Sequence, residues 1–459
     1  MKNKKYSRRT FLKTSALGGL GISLAAGATP NLMSSYAKDV SKPAILGGQA
    51  VREKEWPDWP VWKPEKDEKR IVEVLRSGNW WRGAGDVVEE FEQKWAEKIG
   101  SKRCVATVNG TNSLVIALFR LDIGPGDEVI VSPYTFIATI QAILLAGAMP
   151  VFVDTNPATF QIDADKIEQK ITSRTRAILP VHIYGIPSDM EKIMNIAKSH
   201  DIYVVEDACQ AWLAEIDGKK MGTFGDAGCF SFQNSKHLPI GEGGAIVSDN
   251  EAYMDRCFSH HNNGRSYGTV SSEGDGYPLV GTNNRMTEYQ AAIGLAMLKR
   301  LEEQTNRRWS NGEYLREQLR DIPGISPVEL YDHVTRAVYH LFPFRYKKEN
   351  FNGLPREKFL KALRAEGIPG SSGYSTLNKM PYFRDAFQWK MFRRVFPADM
   401  LDFDNYVERN QCPENDRLCN EEAVGMFQTV LLGDRSDVDD IVRAIEKIYN
   451  HSDKINQAV

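Results

Sequence analysis

The chain has 459 residues, 58 of them Lys or Arg and 60 Asp or Glu, for a formal charge of −2. That balance supplies no bulk pull toward nucleic acid or an anionic membrane, so neither is expected as a partner. Six cysteines, at 104, 209, 229, 257, 412 and 419, show no CxxC or Cys/His zinc spacing, and no metal site is expected.

The N-terminal segment, 1–37, reads as a twin-arginine export signal. Ser7-Arg8-Arg9-Thr10-Phe11-Leu12-Lys13 precedes a Gly- and Ala-rich run over 16–28, with small-residue cleavage sites after Ala28 and Ala37. The expectation is export as a folded protein, to a periplasmic location. Beyond that signal the chain has no apolar run near the ~18–20 residues of a spanning helix. The next block, 38–84, is an arm in which Trp56, Trp59 and Trp62 stand beside Pro57, Pro60 and Pro64. Its prolines preclude a regular helix over 43–62 and suggest a segment laid over an apolar surface.

Over 85–300, β-branched runs at 128–132, 150–154, 177–181, 203–206, 228–232 and 244–247 alternate with helical patterns at 112–121, 136–146, 163–170 and 189–200. This alternation predicts an α/β fold whose large domain carries a mostly parallel sheet covered on both faces. Ligands then gather beyond the strand C-termini. A long helical pattern over 286–319 leads into a smaller α+β domain spanning 301–459, with a strand at 338–346 and helices at 355–366 and 436–449. Residues 380–411 are aromatic and charged without clear periodicity and read as an insertion.

The chemistry concentrates in 203–250. Asp207 ends a strand, Ser231 and Ser235 follow, and Lys236 precedes a Gly-rich turn. These are the parts that hold pyridoxal 5'-phosphate: the lysine forms a Schiff base and a carboxylate keeps the pyridine nitrogen protonated. Burial and neighbouring positive charge would lower the lysine's proton affinity and make it nucleophilic. On chemistry alone the pair could equally be structural. Asn109-Gly110-Thr111-Asn112 opens an apolar helix and offers either a phosphate site or a simple cap.

The wording of the segment is more specific. VEDACQA, GTFGDAGCFSF, SK and GEGGAIV stand in the order and spacing of the DegT/DnrJ/EryC1/StrS sugar aminotransferase family, which the chain resembles from about Trp56 to its C-terminus. The resemblance implies fold type I of the pyridoxal-phosphate enzymes, with Lys236 and Asp207 catalytic. It also implies cofactor contacts from Thr111, Asn112 and Ser231 to the phosphate, Phe136 stacked on the ring, and Gln210 beside it. The stretch 281–288, GTNNRMTE, is similar to the family's NxRMxE motif, through which Asn283 and Arg285 would reach a neighbouring subunit's site. A homodimer with shared active sites is therefore expected. His182 and His340 receive no catalytic role.

The implied reaction moves an amino group from glutamate or glutamine to a keto-sugar or keto-cyclitol. The WPxWP arm, Trp80-Trp81, FSFQNSK and VLLG at 430–433 resemble glutamine:scyllo-inosose aminotransferases and 3-amino-5-hydroxybenzoate synthases. A dehydratase of the latter type, or a non-catalytic carbohydrate sensor, is the alternative. One departure stands out: Trp212-Leu213-Ala214 replaces a small-residue run, and either narrows the substrate pocket or repacks a helix.

Overall fold

The computed structural model describes residues 40–458, so the export signal falls outside the described residues. Seven strands form the main sheet: β1 (Arg103–Thr107), β2 (Glu128–Val131), β3 (Met149–Phe152), β4 (Thr175–Leu179), β5 (Tyr203–Asp207), β6 (Ala227–Ser231) and β7 (Gly244–Ser248). They lie in the order β1-β7-β6-β5-β4-β2-β3. Only β7 runs against its neighbours. Because antiparallel strands need no helical crossover, β6 and β7 are joined by a loop alone, over 232–243, and that loop carries Lys236.

Strand residues alternate between two apolar cores, one on each face. Val105, Val129, Val205 and Ile246 enter one cluster, while Ala106, Ile130, Val204 and Val247 enter the other. Helices α1 (Pro64–Ser77), α2 (Val87–Ile99), α3 (Gly110–Arg120), α4 (Ile137–Ala146), α5 (Met190–His200), α6 (Glu251–His261) and α7 (Glu288–Leu319) cover these faces. The 32-residue α7 opens on a capping box between Thr287 and Gln290 and runs through the 300/301 boundary. A second antiparallel sheet follows: β8 (Ile325–Pro327), β9 (Leu341–Tyr346) and β10 (Ala423–Phe427), in the order β8-β9-β10. Helices α8 (Arg356–Ala365) and α9 (Arg435–Asn450) accompany it.

Three local expectations are corrected. The helix over 163–170 is two 3-10 turns, Ala164–Lys166 and Glu168–Lys170, because only Ala164 and Ile167 point inward, at the three-residue repeat of that tighter turn. The strand over 338–346 starts only at Leu341. Tyr339 sits at φ 50°, while Val338 and His340 donate their N–H groups to Gly185 and Tyr184 of the larger sheet's loops. Strand β1 was absent from the sequence-based candidates; it pairs antiparallel with β7 at the sheet edge.

The insertion folds into four short helices, Tyr382–Ala386, Lys390–Val395, Ala398–Leu401 and Phe403–Arg409. It covers the other edge of the sheet: Asn410 Oδ1 accepts from the Phe152 N–H at 2.8 Å, and Tyr406 donates its hydroxyl to the Pro150 carbonyl. No helix among the described residues is long and apolar enough to cross a membrane. All six cysteines are free thiols, five of them buried.

Candidate active site

The C-terminal ends of the parallel strands bring the expected residues together. Asp207, the last residue of β5, is buried, and both carboxylate oxygens are held by neutral donors: Thr139 Oγ1 at 2.7 Å and the Cys209 N–H at 3.1 Å. Among the described residues no cation pairs with it. That leaves an oriented carboxylate whose natural partner is a protonated ring nitrogen.

Lys236 lies on the turn beyond β6, its backbone clamped from two distant segments. Trp59 of the arm donates its indole N–H to the Lys236 carbonyl at 3.2 Å, and Gln428 donates to the Ser235 carbonyl at 2.8 Å. The Lys236 ammonium lies 5.8 Å from the Trp212 ring centre. Burial lowers its pKa, against the opposing pull of Cys209 and Asp207, moving it toward the neutral amine that nucleophilic and general-base chemistry requires.

Where α3 begins, the chain has a corner that could hold a phosphate. Asn109 caps the helix through its side chain, accepting from the Asn112 N–H at 2.9 Å. The first N–H groups of the helix, at Gly110 and Thr111, remain for a ligand. A Cβ on Gly110 would come within 2.8 Å of the Ser231 Cβ, so this glycine lets the helix start approach the end of β6. Thr111, Asn112 and Ser231 thus line one corner. Phe136, which precedes α4, is 56% exposed.

Gln210 is fixed more tightly than its sequence position suggests. Its Oε1 accepts from the Tyr184 N–H at 2.9 Å, and its Nε2 donates to the Tyr374 hydroxyl at 2.9 Å. Tyr184 holds φ 63°, a left-handed conformation that costs a non-glycine residue of order 1–3 kcal/mol and aims its N–H at the glutamine. Tyr374 was not among the sequence-based candidates. It belongs to the loop before the insertion, 164 residues from Gln210, and no local pattern marks it.

Asn283 and Arg285 are not drawn into this group. Arg285 donates to Asn262 at 3.0 Å and lies 5.5 Å from the Trp81 ring centre, while Asn283 is exposed. Their backbone does lie beside the phosphate corner, since Thr107 and Arg285 form an antiparallel bridge. His182 is a core residue: its Nδ1 accepts from the Ser188 N–H, so Nε2 carries the proton donated to Glu206 at 3.0 Å. Trp212 narrows no open pocket. It is fully buried beneath Lys236, in a turn rather than a helix, against His237 and His340.

The chain is similar to known proteins along most of its length. Residues 63–395 match the DegT/DnrJ/EryC1/StrS aminotransferase family. A Streptoalloteichus tenebrarius protein, provisionally named an L-glutamine:3-amino-2,3-dideoxy-scyllo-inosose aminotransferase, is 37% identical over 426 residues, covering 90% of this chain and 99% of its own. The L-glutamine:2-deoxy-scyllo-inosose aminotransferase of Micromonospora echinospora is 32% identical over 423 residues, 89% of this chain and 98% of its own. Among solved structures, 3-amino-5-hydroxybenzoic acid synthase superposes with a TM-score of 0.74 at 29% identity, covering 89% of this chain and all of that one.

Proposed function

The chain belongs to the DegT/DnrJ/EryC1/StrS aminotransferase family and is an aminotransferase, and from that premise we propose that it moves the amino group of glutamine or glutamate to a keto-cyclitol or keto-sugar. The observation that carries the reading is the buried Asp207 carboxylate, oriented by neutral donors and paired with no cation among the described residues, in the same site as a Lys236 whose pKa burial has lowered. The residues fit pyridoxal 5'-phosphate: Gly110, Thr111, Asn112 and Ser231 for its phosphate, Phe136 and Gln210 for its ring, Asp207 for its nitrogen. When bound, that cofactor supplies the electron sink for breaking the donor's Cα–H bond.

The protein's part is proton management. The Lys236 amine removes the proton from the donor's α-carbon as general base, and returns a proton as general acid in the acceptor half of the cycle. Asp207 keeps the ring nitrogen protonated, and Thr139 and the Cys209 N–H keep Asp207 from turning away. Gln210, locked between Tyr184 and Tyr374, presents its amide in one orientation to the ring edge.

The acceptor class rests on the relatives' names and on the leader. An exported enzyme would not meet nucleotide-activated sugars made in the cytoplasm, which favours a free cyclitol or oxidised monosaccharide. Export rests on Arg8 and Arg9 and is contradicted if the chain stays in the cytoplasm with its leader intact. A homodimer with shared sites is supported by exposed apolar side chains, Trp80, Trp81, Tyr277 and Val280, of which Trp81 lies against Arg285. The likeness to 3-amino-5-hydroxybenzoic acid synthase favours a dehydratase as the second reading. Glutamine labelled with nitrogen-15 at its α-amino group separates the two. The proposal expects the label in an aminated cyclitol or sugar; an unlabelled product that has lost water contradicts it.

A further inference from the structure

Behind Lys236 the protein buries a guanidinium that meets neither a hydrogen-bond acceptor nor a carboxylate among the described residues. Arg308, midway along α7, is fully buried, and its Nε, Nη1 and Nη2 are all unpaired. Its neighbour is the ring of Trp59, 5.0 Å from the guanidinium carbon. Two histidines face the same space from other elements: His237, next to the lysine, and His340, just before β9. Both are buried, their ring centres are 5.8 Å apart, and both pack on Trp212, at 5.1 and 5.8 Å. Nδ1 of His340 has no partner among the described residues and His237 meets the backbone of Tyr339, so four nitrogens on Arg308 and His340 stand unpaired.

The electrostatics are one-sided. Burial lowers the Arg308 pKa to about 9, which still leaves it charged at neutral pH, and no carboxylate opposes that shift. Burial first, and then neighbouring positive charge, holds both histidines well below their usual pKa, against the backbone hydrogen bond between His237 and Tyr339, so both rings are neutral and His340 is free to offer an N–H. Folded proteins avoid a buried cation with no counter-ion, because desolvation is then uncompensated. A guanidinium also cannot shed its proton to escape the penalty.

We propose that Arg308, His237 and His340 form a closed receptor for one small inorganic monoanion of chloride size. The enclosure argues against a substrate carboxylate, which must enter and leave in every turnover: Arg308 has no exposed atom, and its cover, Trp59, is tethered to the Lys236 carbonyl. A resident anion would neutralise the charge behind the lysine and tie the arm, α7 and the lysine turn into one unit. The inference stands on these contacts and does not depend on which ketone the enzyme aminates.

Crystals of the full chain grown in chloride-free buffer, with and without sodium bromide, decide it through anomalous scattering at the bromine edge. The proposal expects a bromide peak within hydrogen-bond distance of the Arg308 guanidinium, absent from bromide-free crystals and from crystals of Arg308→Met. Bromide should likewise raise the melting midpoint of the wild type but not of that variant. No peak in wild-type crystals, with water alone or a protein carboxylate beside Arg308, overturns it, and this needs no variant to fold.

Discussion

Buried histidines that resist protonation give this fold a pH dependence. Burial, reinforced by neighbouring positive charge, holds His237, His340 and His261 well below the usual imidazole pKa, and His260 at about 4. In the unfolded chain each titrates near ~6.5. Above that pH neither state is protonated and the four contribute no pH dependence. As pH falls below it, the unfolded chain binds protons that the native state refuses, so stability declines toward acid. Urea midpoints measured from about pH 7 to about pH 5 should therefore fall steadily. A flat profile would show that the native state protonates these rings. At the same scale, the site residues legible in the sequence were those whose neighbours in the chain are also neighbours in space. Asp207, Gln210, Ser231 and Lys236 share one local run of text, and Thr111 follows its own helix cap. Tyr374, Trp59 and Arg308 act across separations of tens to hundreds of residues, and no spacing rule announces them.

Among the elements, the buried parallel strands were readable because both faces are apolar, so β-branched runs stand out against helical periodicity. The edge strand β1 was not: its β-branched residues are only Val105 and Thr107, set among Arg103, Cys104 and Ala106. The insertion was opaque for a related reason. Its four helices are too short to show a period, and their packing is read only in three dimensions, where Phe383, Phe387 and Tyr406 gather against Phe152. Its role is to close the β3 edge that would otherwise present unpaired main-chain groups. Asn410→Ala should test this. It leaves the Phe152 N–H buried without a partner and should cost about 1–3 kcal/mol in chemical denaturation. No measurable loss would mean that the edge is satisfied without the insertion.

At the scale of the molecule, the expected site residues stand next to an exposed apolar surface. Trp80 and Trp81 are about half exposed, Val280 is 84% exposed, and Arg285 lies against Trp81 rather than in its own chain's phosphate corner. A second copy laid on this surface would bury the apolar set and carry Arg285 toward the other site. On the proposed shared-site dimer, the protein should sediment with twice the mass of its chain. Mixed Lys236→Ala and Arg285→Ala chains should regain activity that neither has alone. A monomer in sedimentation, or no regain on mixing, would contradict shared sites. The central claim is more local and is tested by the absorbance spectrum of the cofactor-loaded protein beside Lys236→Ala, with glutamine and then glutamate titrated in. The account predicts a visible band that requires Lys236 and that one of these donors bleaches in the wild type alone. A band indifferent to Lys236, or no band after the cofactor is added, would contradict it.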